Sequence, residues 1–418
     1  MVVRTSTWAR TQTADFSAFT AFTALARRVL VSFCAISRED HKRLNMRYFA
    51  RTHILVGIGI GLALVPVGAW ASGAPISAPT LAQLLADSGI TASGYLAATY
   101  YHSSGDNTFH QFDTEHDAFQ LDQAGLTLAY QPAQGFGALV DVIGGTDAEI
   151  LNAAQSATAS SNDPVALLQA YLQYVRGNVT VQAGTFTTLA GAEVVAPTGD
   201  TNITRSLLFY AEPMTHTGVR VTYTVNTILS LIAGVNNGWN YTSFSSGSKT
   251  VELGIDLTPS AAFSLTAQSY IGNDPVDLAR RTLIDTVATY TATPALSFVL
   301  SSDWGEQDRS AITAGGVWSG VAAYVNYHFA RQWLVSVRGE ALDDRDGFIS
   351  GTPQTLKEGT VTFSDQMTPN FQLRLEGRYD WSNRSSFTYT HTLASTGKSV
   401  TALADHQSEV AVQGLYSF

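Results

Sequence analysis

Two sets of ionisable residues have types and spacing that could act on a solute. The first is Glu193, Asp200, Arg205, Glu212 and His216, all inside the stretch from Thr188 to Thr217. The second is spread over later segments as residues two apart or on matching parity: Arg220; Glu252 and Asp256; Arg338 and Glu340; Arg374, Glu376 and Arg378; and Glu409. A spacing of two puts side chains on one face of an extended strand. Opposite charges fixed on facing walls set up a field that orients water and polar solutes and sets ion selectivity; the alternative is that they pair with one another across strands. Neither requires covalent chemistry. No HExxH, P-loop or GxSxG pattern is present, and His216, His328, His391 and His406 have no serine partner that the sequence identifies. Asp343-Asp344-Arg345-Asp346-Gly347 lacks the first acidic ligand and the closing Glu of a calcium loop, so it reads as a solvated connection. No cofactor and no metal are expected.

The elements that must position these residues repeat with a period of two. From Asn370, Gln372, Arg374, Glu376, Arg378 and Asp380 share one face, and Phe371, Leu373, Leu375, Tyr379 and Trp381 the other. Val219, Val221, Tyr223 and Val225 against Arg220, Thr222 and Thr224 repeat the arrangement. Apolar outside and polar inside is the pattern expected when lipid is the outer solvent and water fills the interior. The spacing predicts strands near 91–102, 117–130, 135–146, 164–176, 178–187, 216–226, 228–237, 248–258, 260–272, 279–291, 294–304, 311–329, 331–342, 355–368, 370–381 and 405–418. Tight Gly, Pro and Asn joints alternate with long polar ones. The fold expected is all-β: a transmembrane antiparallel β-barrel of about 16 strands, whose third external connection, Thr188 to Thr217, folds inward. Within it, Thr204 is expected to cap a short helix through Arg205, Leu207, Leu208 and Tyr210 that Pro213 ends. A soluble sandwich, β-helix or propeller would also alternate. Against it stands the last strand, where Val410, Val412, Gly414, Tyr416 and Phe418 alternate with polar residues to an aromatic end, resembling an outer-membrane assembly signal. Tyr95, Tyr100, Tyr101, Tyr130, Tyr290, Trp304, Trp333, Tyr379 and Trp381 suit interfacial girdles.

Ahead of the barrel, Arg47 and Arg51 precede an apolar run from Ile54 to Val67 and an Ala69-Trp70-Ala71 cleavage site, so 46–71 reads as a signal peptide. Residues 1–45 read as an upstream mis-start or a disordered segment, and 72–90 as a periplasmic linker or short helix. Nine of the 24 Lys+Arg and three of the 34 Asp+Glu lie in residues 1–71, which leaves 15 basic and 31 acidic residues, a net charge of −16. That excludes a nucleic-acid binder and favours a weak cation preference. Cys34, the single cysteine, also precedes the barrel, so backbone pairing and packing must hold it together.

The runs Gln182-Ala183-Gly184-Thr185-Phe186, Gly191-Ala192-Glu193, Asn202-Ile203-Thr204-Arg205-Ser206, Pro213-Met214-Thr215-His216-Thr217-Gly218 and Gly234-Val235-Asn236-Asn237-Gly238-Trp239, with Ser93-Gly94-Tyr95 earlier, resemble the OmpL-like outer-membrane β-barrel porin family over most of Thr91 to Phe418. The resemblance implies a bacterial outer-membrane porin that passes small hydrophilic solutes by diffusion. Its expected partners are outer-membrane lipid, the barrel assembly machinery, those solutes and two further copies in a homotrimer. The rival readings are a barrel enzyme acting on lipid or surface polymer and a closed structural or adhesion barrel.

Overall fold

The computed structural model describes Thr80, Leu85 and residues 87–155, 163–243, 247–392 and 398–418. The expected signal peptide and the segment before it lie outside the described residues. Of the expected linker, Leu85, Asp87 and Ser88 are helical.

Eighteen strands follow: β1 (Thr91–Ser103), β2 (Ala118–Tyr130), β3 (Gly135–Gly144), β4 (Val165–Arg176), β5 (Val179–Thr187), β6 (Thr215–Thr224), β7 (Leu229–Asn236), β8 (Thr250–Ser260), β9 (Phe263–Asn273), β10 (Arg280–Thr293), β11 (Leu296–Gln307), β12 (Gly316–Ala330), β13 (Trp333–Asp344), β14 (Gln354–Thr368), β15 (Phe371–Ser382), β16 (Phe387–Thr392), β17 (Ser399–Ala404) and β18 (His406–Ser417). Sixteen of them close into one antiparallel barrel, in which each strand pairs with its sequence neighbours and β18 pairs with both β15 and β1. β16 and β17 form a separate hairpin within the β15–β18 connection. Closure leaves no unpaired edge, the condition for strands in hydrocarbon. At the seam, Gly94 and Phe418 exchange both backbone hydrogen bonds, at 3.1 and 2.9 Å. Tyr416 and Phe418 lie exposed beside that seam.

The period of two decides which face each residue takes. On β13 to β15, Val337, Val361 and Tyr379 are exposed, whereas their neighbours Arg338, Thr362 and Arg378 are buried. An outward Lys or Arg near the bilayer midplane would cost about 2–4 kcal/mol, so the charged residues take the inner parity. Tyr95 and Tyr101 depart from the expected girdle, because both occupy the inner parity of β1 and are buried. Tyr95 donates a hydrogen bond to Gln123 at 2.8 Å instead. Tyr130, Tyr290, Trp304, Tyr379 and Trp381 are exposed.

Short turns join β2 to β3, β4 to β5 and each later pair to β14 and β15, and the long connections lie at the opposite end. The second long connection contains helix α1 (Thr146–Gln155), and the third contains the 3₁₀ turn Pro197–Gly199 and helix α2 (Leu207–Tyr210). These connections supply an apolar filling. Phe112 from the first, Ala148 and Leu151 from α1, and Val195, Phe209 and Met214 from the third pack against Ile143, Ala166 and Leu168 of the wall. A second cluster joins Leu207, Leu208 and Ala211 to Trp318, Leu342 and Leu356.

Gly305 of β11 sits opposite Trp318 of β12, and a Cβ there would overlap the indole ring. Because Trp318 is fully buried and cannot move outward, Gly305→Val forces a packing conflict of about 1–3 kcal/mol. The expected result is a lower unfolding temperature of the folded band in heat-modifiability gels; an unchanged transition would contradict this packing.

Candidate functional site

The third connection is held by the polar inner face of the wall, and four of its tethers are backbone N–H groups bonded to strand carboxylates. Glu376 of β15 accepts from Ile203 N at 2.6 Å and Thr204 N at 2.9 Å. Glu340 of β13 accepts from Leu207 N at 2.6 Å and Leu208 N at 3.2 Å, so it satisfies otherwise orphaned donors at the start of α2. The expected cap, Thr204, is displaced. Ser206 is the N-cap and its Oγ accepts from Phe209 N at 3.0 Å, because the amides Thr204 would cap are taken, Ser206 N by Glu193 and Leu207 N by Glu340, while Thr204 Oγ1 accepts from Arg338. Arg205 therefore precedes the helix rather than starting it.

Arginines on the same wall complete the attachment. Arg338 is fully buried and donates to Glu193 at 2.6 Å, to the Thr204 carbonyl at 2.7 Å and to Glu358 of β14 at 2.7 Å. Arg378 donates to the Arg205 carbonyl at 2.6 Å and to Asp380 at 2.9 Å. Arg374 donates to the Pro197 carbonyl at 3.1 Å. Within the connection, Glu193 also accepts from Ser206 N at 2.7 Å, and Arg205 lies 2.9 Å from Asp200. Burial works against the Arg205 charge, but Asp200 and then Glu193 outweigh it and raise its pKa.

The remaining residues of the two sets fall elsewhere. His216 is the second residue of β6 rather than part of the connection, stacked on Tyr270 at 4.5 Å with its Nδ1 3.2 Å from the Gly238 carbonyl. Arg220 and Glu252 pair at 2.8 Å across β7, where the residue between them is Gly234 and no side chain intervenes. Asp256 is half-buried on the inner face of β8. Glu409 of β18 accepts from Asn107 of the first connection at 2.5 Å. Beside it, the buried His110 is bonded to Asp113 and lies 2.9 Å from Asp380. Burial and then Arg378 oppose protonation of His110, but Asp113 and Asp380 prevail and raise its pKa to about 10.

Among the described residues, two buried groups have the donor types of a cation site. One is His110, Asp113 and Glu409, already engaged as described; the other is Glu212, Asp285 and Asp303. The second joins the connection to β10 and β11. Burial, and next the Asp285 carboxylate, push the Glu212 carboxyl well above the ordinary carboxylate range, against a hydrogen bond from Asp303. Sequence reasoning did not single out Glu358, Asp380, Asp285 or Asp303 as site residues. Their signal was the parity of their strands, on which each falls in line with the inner residues.

The model of the family described as putative beta-barrel porin-2, OmpL-like, matches residues 89–407. The chain belongs to that family. It is an outer-membrane porin. Solved structures of similar fold include the outer membrane channel DcaP of Acinetobacter baumannii, at 14% identity and TM-score 0.53, covering 79% of this chain and 97% of that one. OmpT of Vibrio cholerae, expressed in the outer membrane, aligns at 12% identity and TM-score 0.54, covering 79% and 97%. OprB of Pseudomonas putida aligns at 10% identity and TM-score 0.51, covering 80% and 96%. No curated protein matches the sequence. At these identities the likeness to solved structures concerns the fold alone. The family match covers β1 to β17, the start of β18 and the third connection.

Proposed function

We propose that the porin passes small hydrophilic solutes through a lumen narrowed by its inward-folded third connection, which the charged inner face holds in place. The observation that carries this reading is the row of backbone-to-carboxylate bonds from Ile203, Thr204, Leu207 and Leu208 to Glu376 and Glu340. Such charge-assisted bonds fix a loop more firmly than neutral ones. On this reading Glu193, Asp200, Arg205, Glu212, Arg338, Glu340, Arg374, Glu376 and Arg378 position the constriction. The half-exposed Gln173, Gln182, Thr222 and Asp256 on the opposite wall face the solute. Asp256 there supports a weak cation preference. The reading includes no covalent chemistry; His110 is held by two carboxylates, and His216 is stacked on Tyr270. Association of three copies is part of it, and OmpT of Vibrio cholerae, similar in fold, has been solved as a trimer.

Stepwise conductance of the refolded porin in a planar bilayer tests the reading, and a folded sample without conductance would favour a closed structural barrel. The pH dependence adds a second test. The raised pKa of Glu212 means that the docked connection holds a proton the released one gives up. Its contribution to docking is complete below the ordinary carboxyl range and is lost as pH rises through the docked pKa. Conductance or open-state noise is therefore expected to rise from acidic to neutral buffer, and Glu212→Gln, which stays neutral, should flatten that rise. An equally steep rise in the variant would exclude Glu212 as its source.

A further inference from the structure

Beneath the Pro197–Gly199 turn, at the end of the interior nearest the short turns, lies a cavity of about 270 Å³. Thr198, Thr201, Ser364, Gln366, Gln372 and Arg374 line it, and it reaches the exposed rim at Gln366 and Asn370. Two of its polar groups are incompletely satisfied. Arg374 is 4% exposed. Its Nε donates to Gln372 at 2.6 Å, and its Nη1 to Pro197 O at 3.1 Å and to Gln413 at 3.4 Å, all neutral acceptors. Its Nη2 has no acceptor among the described residues. By contrast, Arg205, Arg220, Arg338 and Arg378 each hold a carboxylate. Asp200 also borders the cavity, but it lies 2.9 Å from Arg205 and is taken up there. Directly across the β14–β15 pair from Arg374 is Ser364, 1% exposed, whose Oγ has no hydrogen-bond partner.

Asp200 and Glu376 act on the Arg374 guanidinium from a distance, but its hydrogen bonds all go to neutral acceptors, and an anion with two oxygens would supply both missing contacts. We propose that this cavity binds the carboxylate of a small hydroxylated acid. Arg374 Nη2 and Ser364 Oγ donate to the carboxylate oxygens, and the hydroxyls and amides of Thr198, Thr201, Gln366 and Gln372 meet the solute's hydroxyl groups. A phosphate ester fits less well, because its second negative charge would face Asp200 with no second free cation. The inference rests on the reading of the interior as a solute path and names the class of solute held there.

The test uses gluconate, glucose and glucose 6-phosphate as probes, with current interruption read in bilayers and binding read by titration calorimetry on the folded protein in detergent. Gluconate is expected to bind and interrupt the current, and the other two to do so about tenfold more weakly or less. Arg374→Gln should weaken gluconate about tenfold in calorimetry, and Arg374→Lys should retain part of the binding. Ser364→Ala removes one oxygen and no charge, so its severalfold loss is read independently of any folding defect in the arginine variant. Equal binding of gluconate and glucose, or unchanged gluconate binding in both Arg374→Gln and Ser364→Ala, overturns the proposal. A wild-type sample that gives no chloride current overturns the channel reading instead, while calorimetry still decides whether gluconate binds.

Discussion

Removing Ala192–Pro213 is expected to raise single-channel conductance severalfold and to leave the barrel wall folded. The wall should survive because the excised segment leaves and returns at adjacent points: Thr188 N donates to Met214 O at 3.0 Å, so Leu189 to Gly191 can close the gap. The strands on either side, β5 and β6, pair from Val179 with Tyr223 to Thr187 with Thr215 without any contribution from the segment. What leaves is the segment proposed to narrow the lumen, with the donors on Glu340 and Glu376, the Glu193 carboxylate on Arg338, and the apolar contacts of Leu207 and Leu208 with Trp318 and Leu342. The freed wall charges then return to water, which is the environment that suits them. Open-channel current in bilayers measures the result. A folded deletion variant with the wild-type conductance would mean that the lumen is limited elsewhere, and it would remove the constriction from the proposed function.

The wall was legible because its signal is local. A residue's parity on β15 is fixed by its two neighbours and by lipid on one side, so Arg374, Glu376 and Arg378 could be placed inward without any tertiary information. The interruption between β5 and β6 was legible for the same reason, as a stretch where the period fails. What the wall does with its charges was not. Arg338 finds Glu193 across 145 positions of sequence, and nothing local to either residue identifies the other. The start of α2 shows the competition directly. Thr204 is the hydroxyl cap the local sequence suggests, but Glu193 and the distant Glu340 take the Ser206 and Leu207 amides it would cap, so Ser206 caps the helix instead. Helix α1 went unread because Thr146–Gln155 is short and its apolar residues Ala148 and Leu151 acquire a partner surface only when Phe112 and Val195 arrive from two other connections. The β16–β17 hairpin lies off the barrel, so the strand count gave no place for it.

The second large effect is expected at Arg338. It is fully buried and touches Glu193 and Glu358, with Glu340 at 4.0 Å, so it joins the connection to β13 and β14 of the wall through carboxylates. Arg338→Met keeps the side-chain length and removes the charge and its donors. Glu193 and Glu358 are then left buried without compensation, for which the expected loss of stability is about 3–5 kcal/mol. The variant should lose the heat-resistant folded band at lower temperature and show noisy, larger openings as the connection detaches. The triple variant Arg338→Met, Glu193→Gln, Glu358→Gln removes the stranded charges as well, and a buried ion cluster replaced as a whole is often close to neutral in stability. It should therefore recover most of the lost thermal stability while the openings stay larger than wild type, because the Glu193 to Arg338 tether is still missing. This separates two roles that a single substitution merges. Recovery of both stability and the wild-type current would make the cluster a packing element only. Failure to recover either would mean that the arginine's bond to the Thr204 carbonyl, at 2.7 Å, and not its charge, holds the connection to the wall.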